Sequence, residues 1–468
     1  MVKNQNMTSG KPIKLLFFFA LPLMFGNIFQ QLYTVVDTAI VGQGVGMDAL
    51  AALGSVAWLN WLPVGIAQGF TQGFSVKMSQ NFGKGDHDAL RKTIGASATL
   101  SIVIAVIATV VSLVTLPACL DLLAVRPDLR DMAHLYSEIL ILGIPITMFY
   151  NFCSSVLRAV GDSKTPLLAM IAAALINVAL DLLAVYGLHL GIAGAAIATL
   201  IAQCAAGFLC TLKIAHIPEL RFRPNDMKCS RYDSKNLLKL GIPVAFQNII
   251  ITAGGMAVQT VVNGFDTPFI AGFTAAAKLY GVLEIAAISY GYAVTTYIGQ
   301  NYGARKWDRI KQGVRAAVVL SAVTSAVTTA LMVLFGRPLS MLFISAETAE
   351  AAAEAGDAAY LYLFVMSVFI IVIYLLYVYR AALQGMGNTF ISMISGIVEF
   401  AMRSGVAVIV GITGFKNGIV WAEPVSWFGG AVLLVIDYYY SAHRIEKYGF
   451  PENIKSDISD NKKIQDSI

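Results

Sequence analysis

The sequence predicts an all-α integral membrane protein of twelve transmembrane helices, arranged as two six-helix parallel repeats. Three observations carry this. Of 468 residues 57% are hydrophobic and 13% charged, about half the charged share of a soluble domain, and the mean hydropathy is +0.69. The apolar runs are each about 20 residues or longer, enough for a helix to cross a hydrocarbon core of about 30 Å, whereas a β-barrel would show short alternating segments. Short blocks of sequence in the first half recur, in the same order, in the second.

Taken in order, the spans fall at 15–41, 49–76, 94–116, 134–157, 167–188, 191–212, 241–262, 269–298, 316–336, 358–379, 390–411 and 418–441. Lys3, Lys11 and Lys14 precede the first run, which is too long for a signal-peptide core and lacks a small-residue cleavage pattern, so it is expected to stay attached as a span. Lys and Arg gather in the two tails and in the even-numbered connections. The other side holds Arg126, Arg130, Arg337 and Lys416, so both termini are expected in the cytoplasm. Lys278 and Arg403 fall within spans. The layout is therefore a cytoplasmic tail at 1–14, a first lobe at 15–212, a cytoplasmic linker at 213–240 containing RFRPNDMKCSRYDSK, a second lobe at 241–442 and a cytoplasmic tail at 443–468. That last tail has too few apolar residues to fold by itself.

The repeat is read from four anchors. SQNFGKGD at 79–86 answers GQNYGARK at 299–306, and LRAVGDSKT at 157–165 answers LQGMGNTFI at 383–391. LPLMFGNIFQQ at 21–31 answers IPVAFQNIIIT at 242–252, and GIAGAAIAT at 191–199 answers GIVWAEPVS at 418–426. Such order points to duplication rather than chance. Each half has an even number of spans, so the two enter the membrane in the same orientation, with a cavity between them as the expected transport path.

Several function classes are excluded. The net charge of +5 is spread over short connections rather than clustered on one face, so it reports topology and no nucleic-acid partner is expected. Cys119, Cys153, Cys204, Cys210 and Cys229 show no CxxC or paired spacing, which argues against a disulfide framework or a metal site. No GxxxxGK[ST], HExxH or GxSxG occurs, so neither an ATP-binding loop nor a hydrolase is indicated. The chain is not expected to be an enzyme or to hold a cofactor. Uphill transport would draw on an ion gradient.

The candidate chemistry centres on Asp37. A carboxylate inside a span costs roughly 3 kcal/mol to insert and is tolerated mainly where it has a function. Asp37 lies about 7 Å inside the outer end of span 1, Asp181 reaches a similar depth on span 5 with Asn177 one turn below it, and Thr199 lies about 12 Å into span 6. Two carboxylates, an amide and a hydroxyl at matching depth suit a desolvated cation or a proton shared between the acids. The plainer alternative is that Asp181 and Asn177 satisfy each other while Asp37 snorkels to the interface. The matching positions in the second half are about Val258 for Asp37, Arg403 for Asn177 and Ala407 for Asp181, so ion chemistry is assigned to the first lobe.

Gln30, Gln203, Lys278, Tyr280, Glu284 and Arg403 are candidates for a substrate cavity. Glu399 and Arg403, spaced i, i+4 with the acid first, are expected to neutralise each other along one helix. Glu423 before Pro424 marks a broken turn at the start of span 12 or a partner for freed backbone groups. Gly65, Gly69 and Gly73 form a double GxxxG stripe that predicts close helix packing. Pro22 and Pro243 occupy matching positions where a bend is permitted. Tyr280, Tyr290, Tyr292, Tyr297, Tyr374 and Tyr377 supply aromatic faces for a cationic substrate, or ordinary packing.

With these features in hand, the chain resembles the multidrug and toxic compound extrusion (MATE) family from about Pro12 to His443. The resemblance rests on LPLMFGNIFQQLYTVVDTAIVG, the paired QNFG and QNYG, LRAVGDSKTP, NVALD and GIVWAEPVSW. It implies a multi-pass bacterial inner-membrane antiporter of two six-helix lobes, expected as a monomer, that extrudes drugs or other amphipathic, often cationic compounds against proton or sodium entry. Residue by residue, the cation site of the DinF-like branch matches Asp37, Asn177, Asp181 and Thr199, the only residues here to which a sodium ion is assigned. The NorM-like branch relies on acidic residues in spans 7 and 10, which this chain lacks, Asp357 being only at the edge of span 10. The DinF-like branch is therefore favoured. The competing cargo is a lipid-linked sugar or phospholipid, moved by a flippase of the same fold, with Lys278 and Arg403 receiving an anionic head group.

Overall fold

The computed structural model describes residues 6–123, 125–221, 224–227, 230–342, 344 and 348–450. Among them the chain is helical throughout: α1 (Pro12–Gly44), α2 (Met47–Ser55), α3 (Ala57–Lys84), α4 (His87–Leu122), α5 (Pro127–Leu142), α6 (Ile144–Ala159), α7 (Lys164–Leu182), α8 (Gly191–His216), α9 (Arg231–Val262), α10 (Thr267–Gly303), α11 (Trp307–Met341), α12 (Ala349–Gly385), α13 (Thr389–Thr413) and α14 (Ala422–Tyr448). Ten helices are long and apolar enough to cross a membrane, and the pairs α2–α3 and α5–α6, bent by 45° and 44°, bring the spans to twelve.

The break in the fourth span follows from Pro145 in the first turn of α6. Its ring nitrogen cannot donate back to Ile141, and the helix redirects at Gly143. Gly143 also admits α8, since a methyl group there would lie 2.0 Å from the Leu200 side chain. The helices outrun the apolar runs at their ends because polar caps extend them. Asp86, Ser230, Asp266 and Thr348 each accept a backbone N–H at the start of α4, α9, α10 and α12. The segment 213–240 is thus filled by the end of α8, two 3-10 turns at Pro218–Leu220 and Pro224–Met227, and the first turns of α9. Tail residues 1–5 and 451–468, Cys229 and part of the basic linker lie outside the described residues.

The repeat is visible in the backbone. Gly161 and Gly387, at matching positions of LRAVGDSKT and LQGMGNTFI, take φ of 90° and 92°, values that a residue with a Cβ adopts only under strain. The glycine stripe on α3 packs straight onto α9: a methyl on Gly69 would lie 2.4 Å from Ala245 Cα, and one on Gly73 2.5 Å from Gly241 Cα. Close backbone approach therefore explains the double GxxxG. Helices α1 and α9 run continuously through Pro22 and Pro243.

The largest core lies among α9 to α14, and Leu16, Phe19, Ala20 and Leu23 in the amino-terminal part of α1 are buried within it. The first helix therefore packs across both halves. Val103, Val106, Ile107, Val110 and Val114 on α4, and Val319, Val323, Val327 and Leu334 on α11, form exposed apolar faces. In water such faces would drive association, and a bilayer is the solvent that covers them.

Candidate functional site

The first-lobe acids meet at one point. Asp37 on α1 is 9% exposed, and Asn177 and Asp181 on α7 are 1% and 0% exposed. The four-residue spacing of the α7 pair puts both on the face turned to α1. Helices α1 and α7 pack against each other, which makes the two buried carboxyl groups neighbours. Just after Asp181, α7 widens into a π-helical turn at Leu183–Gly187, a geometry frequent at functional positions. The chain then reverses through His189 and Gly191, both at positive φ, and α8 returns with Thr199. Asn177 Nδ2 donates to Thr199 Oγ1 at 3.5 Å.

This arrangement replaces the plainer alternative, in which Asn177 would satisfy Asp181. Asp37 Oδ1, both Asp181 oxygens and Asn177 Oδ1 are buried with no hydrogen-bond donor. Carboxylates and amide carbonyls are acceptors only, so the cluster presents acceptors to one another. A shared proton or a small cation is the kind of group that such a cluster lacks. Val258 and Ala407, at the matching positions in the second half, are buried and apolar.

Below this cluster lies a cavity of about 100 Å³, lined by Gln30, Tyr33, Asn177, Thr199 and Gln203 among others. Gln203 Oε1 accepts from Thr147 Oγ1 at 2.7 Å. Thr147, Asn151, Ser154 and Arg158 bring a polar stripe of α6 to the same wall. Arg158 hydrogen-bonds Ser154 Oγ and sits 4.7 Å from the centre of the Tyr292 ring on α10. Sequence reasoning missed Arg158, because span 4 was ended one residue before it.

A second cavity of about 300 Å³ lies between the halves, lined by Gln68, Gln72, Gln247, Glu284, Tyr292, Tyr377 and Arg380. Tyr377 Oη donates to Glu284 Oε1 at 3.0 Å, and Gln72 Nε2 donates to Gln384 Oε1 at 3.1 Å. Gln68 and Tyr292 line both cavities.

Three of the cavity candidates line neither space. Lys278 is exposed. Tyr280 stacks on Trp427 with ring centres 5.8 Å apart. Arg403 is buried, donating to Glu423 Oε2 at 2.6 Å. The expected pairing of Glu399 with Arg403 is overturned: Glu399 instead pairs with Arg380 of α12. Each charge finds a partner on another helix, Arg380 because α12 runs through to Gly385 and buries it, and Glu423 because α14 starts with it in the first turn. Of the tyrosines, Tyr290 and Tyr374 are tied to Thr324 and to the Leu283 carbonyl within the core.

The end of the bundle that carries the amino terminus, the inner end on the expected topology, is closed. The two QN[FY]G blocks cross in backbone contact, so that a methyl on Gly83 would lie 1.9 Å from the Gln300 carbonyl oxygen and one on Gly303 1.8 Å from that of Gln80. The amino-terminal residues strap this crossing from the second half: Met7 N donates to Gln300 Oε1 at 2.9 Å, and the Met7 carbonyl accepts from Asn301 and Arg309 at 3.1 and 3.0 Å. Lys306 and Arg309 hold the Thr8 and Gly10 carbonyls at 2.9 and 3.0 Å.

A family model described as MatE matches residues 22–183 and 243–409. The probable multidrug resistance protein YpnP of Bacillus subtilis strain 168 is 30% identical over 356 residues, 75% of this chain and 79% of that protein. The DNA damage-inducible protein F of Escherichia coli K12 is 25% identical over 341 residues, 71% of this chain and 73% of that protein. Among solved structures, an outward-facing multidrug resistance MATE family transporter of the MOP superfamily superposes with a TM-score of 0.87 at 22% identity, covering 96% of this chain and 99% of that one. The last comparison speaks to the fold alone.

Proposed function

The chain belongs to the MatE family of multidrug efflux transporters, and from that membership we propose that it exports amphipathic, often cationic compounds by antiport against entering protons or sodium ions. Asp37 and Asp181 are the coupling carboxylates, with Asn177 and Thr199 completing the oxygen set. The observation that carries this reading is the pair of neighbouring, buried carboxyl groups, of whose oxygens Asp37 Oδ1 and both of Asp181 lack donors, beside the first-lobe cavity. An ion entering from outside neutralises the pair, and its unequal binding to the two conformations supplies the coupling. The 25% identity to the DNA damage-inducible protein F and the apolar Val258 and Ala407 support placing ion chemistry in the first lobe, as in the DinF-like branch.

The protein acts as a monomer in the bacterial cell membrane, and the excess of Lys and Arg on one side places both termini in the cytoplasm. A lipid-linked cargo gains nothing from the geometry, since Lys278 lies outside both cavities and Arg403 is neutralised by Glu423. The test is dye efflux from proteoliposomes with a pH gradient and a sodium gradient imposed separately. The active gradient identifies the ion, and both Asp37→Asn and Asp181→Asn should lower driven flux at least 10-fold while the protein remains inserted. Full driven flux in both variants overturns the reading.

A further inference from the structure

Four charges in the membrane-spanning part form two buried ion pairs. Arg380 pairs with Glu399 and Arg403 with Glu423. Two charges lining the cavities are left over, one of each sign. Arg158 has the Ser154 hydroxyl and the Tyr292 ring as partners, and among the described residues no carboxylate lies within 4.0 Å of it. Its remaining N–H donors are available to the first-lobe cavity. Glu284 accepts from the Tyr377 hydroxyl, and among the described residues no basic side chain lies within 4.0 Å of it. It lines the interlobe cavity.

The two spaces adjoin. Tyr292 and Gln68 belong to the wall of each, and Arg158 lies directly over the Tyr292 ring. Glu284 and Tyr292 are on the same helix, about 12 Å apart along its axis before side chains reach toward each other. The first-lobe cavity, at about 100 Å³, is too small for a drug-sized molecule, which needs roughly 300 to 1,000 Å³, and the interlobe cavity is only at the lower limit. A ligand laid across Tyr292 occupies both, with an aromatic body against the ring and its ends at opposite charges. A buried unpaired charge is costly, and a ligand group of opposite sign removes that cost at each end.

We infer that the two cavities form one binding site for a zwitterion, its acidic group on Arg158 and its basic group on Glu284. This deepens the efflux reading by naming the charge type of the cargo, and it rests on these cavities being the substrate path. The planar guanidinium can hold a carboxylate through two parallel hydrogen bonds. The acidic group on the ligand, rather than net positive charge alone, then decides affinity.

The test compares two dyes that differ in one group: tetramethylrhodamine with its free carboxylate, a zwitterion, and tetramethylrhodamine methyl ester, a cation. Binding to the purified full-length protein is read by fluorescence polarisation. The zwitterion should bind about tenfold more tightly than the ester, the size of effect expected for a charge-assisted hydrogen bond. Arg158→Gln should abolish that preference, and an unchanged size-exclusion profile of the purified variant shows that it is folded. Glu284→Gln should weaken both dyes alike, and Glu284→Asp should restore them. Equal affinity of the wild-type protein for the two dyes, no measurable binding of the zwitterion, or a preference that survives Arg158→Gln overturns the assignment. If Arg158→Gln loses both dyes, Arg158→Lys decides, and loss of the preference in that variant also overturns it. Binding is read without flux. A protein that prefers the zwitterion but moves neither dye under a gradient therefore counts against efflux and leaves the site standing.

Discussion

Gln80 and Gln300 cross at the inner closure, each donating its side-chain amide to a backbone carbonyl of the opposite half: Gln80 to Gly385 at 3.0 Å and Gln300 to Ala159 at 2.9 Å. The symmetry of these bonds follows from the repeat, since QNFG meets LQGMG and QNYG meets LRAVG. Opening the inner side must break both, together with the glycine contacts beneath them.

Gly303→Leu should therefore shift the protein away from the inner-closed arrangement, because a side chain at that position overlaps the Gln80 carbonyl. Spin labels at positions 88 and 308, on the exposed first turns of α4 and α11, should report longer and broader distances by pulsed electron resonance. An unchanged distribution would mean that the crossing does not hold the gate.

Glu399→Gln should destabilise the protein by about 3–5 kcal/mol, because it leaves the Arg380 guanidinium buried without its counter-charge. In double-mutant cycles the coupling energy should appear between Glu399 and Arg380, and between Arg403 and Glu423. The cycle between Glu399 and Arg403 should give much less. A dominant Glu399–Arg403 coupling in thermal unfolding would contradict the observed pairing.

Asp181→Asn should raise thermal stability in detergent, by about 1 kcal/mol or more, even as it abolishes coupled flux. Two neighbouring acids with unfilled oxygens are a stability cost kept for function, and an amide supplies the donor that the cluster lacks. A melting temperature below that of the wild type would show that the pair is structural.

Asp266 caps α10 through Phe269 N at 3.0 Å and receives Lys416 Nζ at 2.9 Å. The Lys416 hydrogen bond, with the backbone N–H bond, holds its carboxyl below the usual range despite some burial. A depressed folded-state pKa stabilises above the unfolded value, near 4, and that contribution disappears as pH falls through the folded value. Asp266→Ala should cost about 1 kcal/mol at pH 7, a difference from wild type that narrows in unfolding scans below about pH 4. Asp266→Asn should keep most of the cap and lose the pH dependence.

The span count, the repeat and the Asp37, Asn177, Asp181 and Thr199 set were legible in the sequence because apolar length, ordered anchors and helical spacing are local properties. What was not legible depended on which helices meet. Periodicity could pair Glu399 only with a residue on its own helix, and hydropathy ended span 10 at 379, so Arg380 was placed in a connection rather than in the core. Arg158 was hidden for the same reason at the end of span 4. The bend at Gly143 needed the approach of Leu200 to make it visible, and the seat of Met7 needed residues nearly three hundred positions later.

That seat has a consequence for how the chain matures. Met7 is fully enclosed, yet the groups that enclose it, from Gln300 to Arg309, are synthesised 293 to 302 residues afterwards. The amino-terminal segment must therefore wait undocked while the intervening helices enter the bilayer, and it closes a loop of about three hundred residues only when α10 and α11 are in place. Insertion of the spans and completion of the native protein are separate events. A chain halted before α11 would have all the groups of its first-lobe acidic cluster but no Arg309 with which to fasten its beginning to its second half.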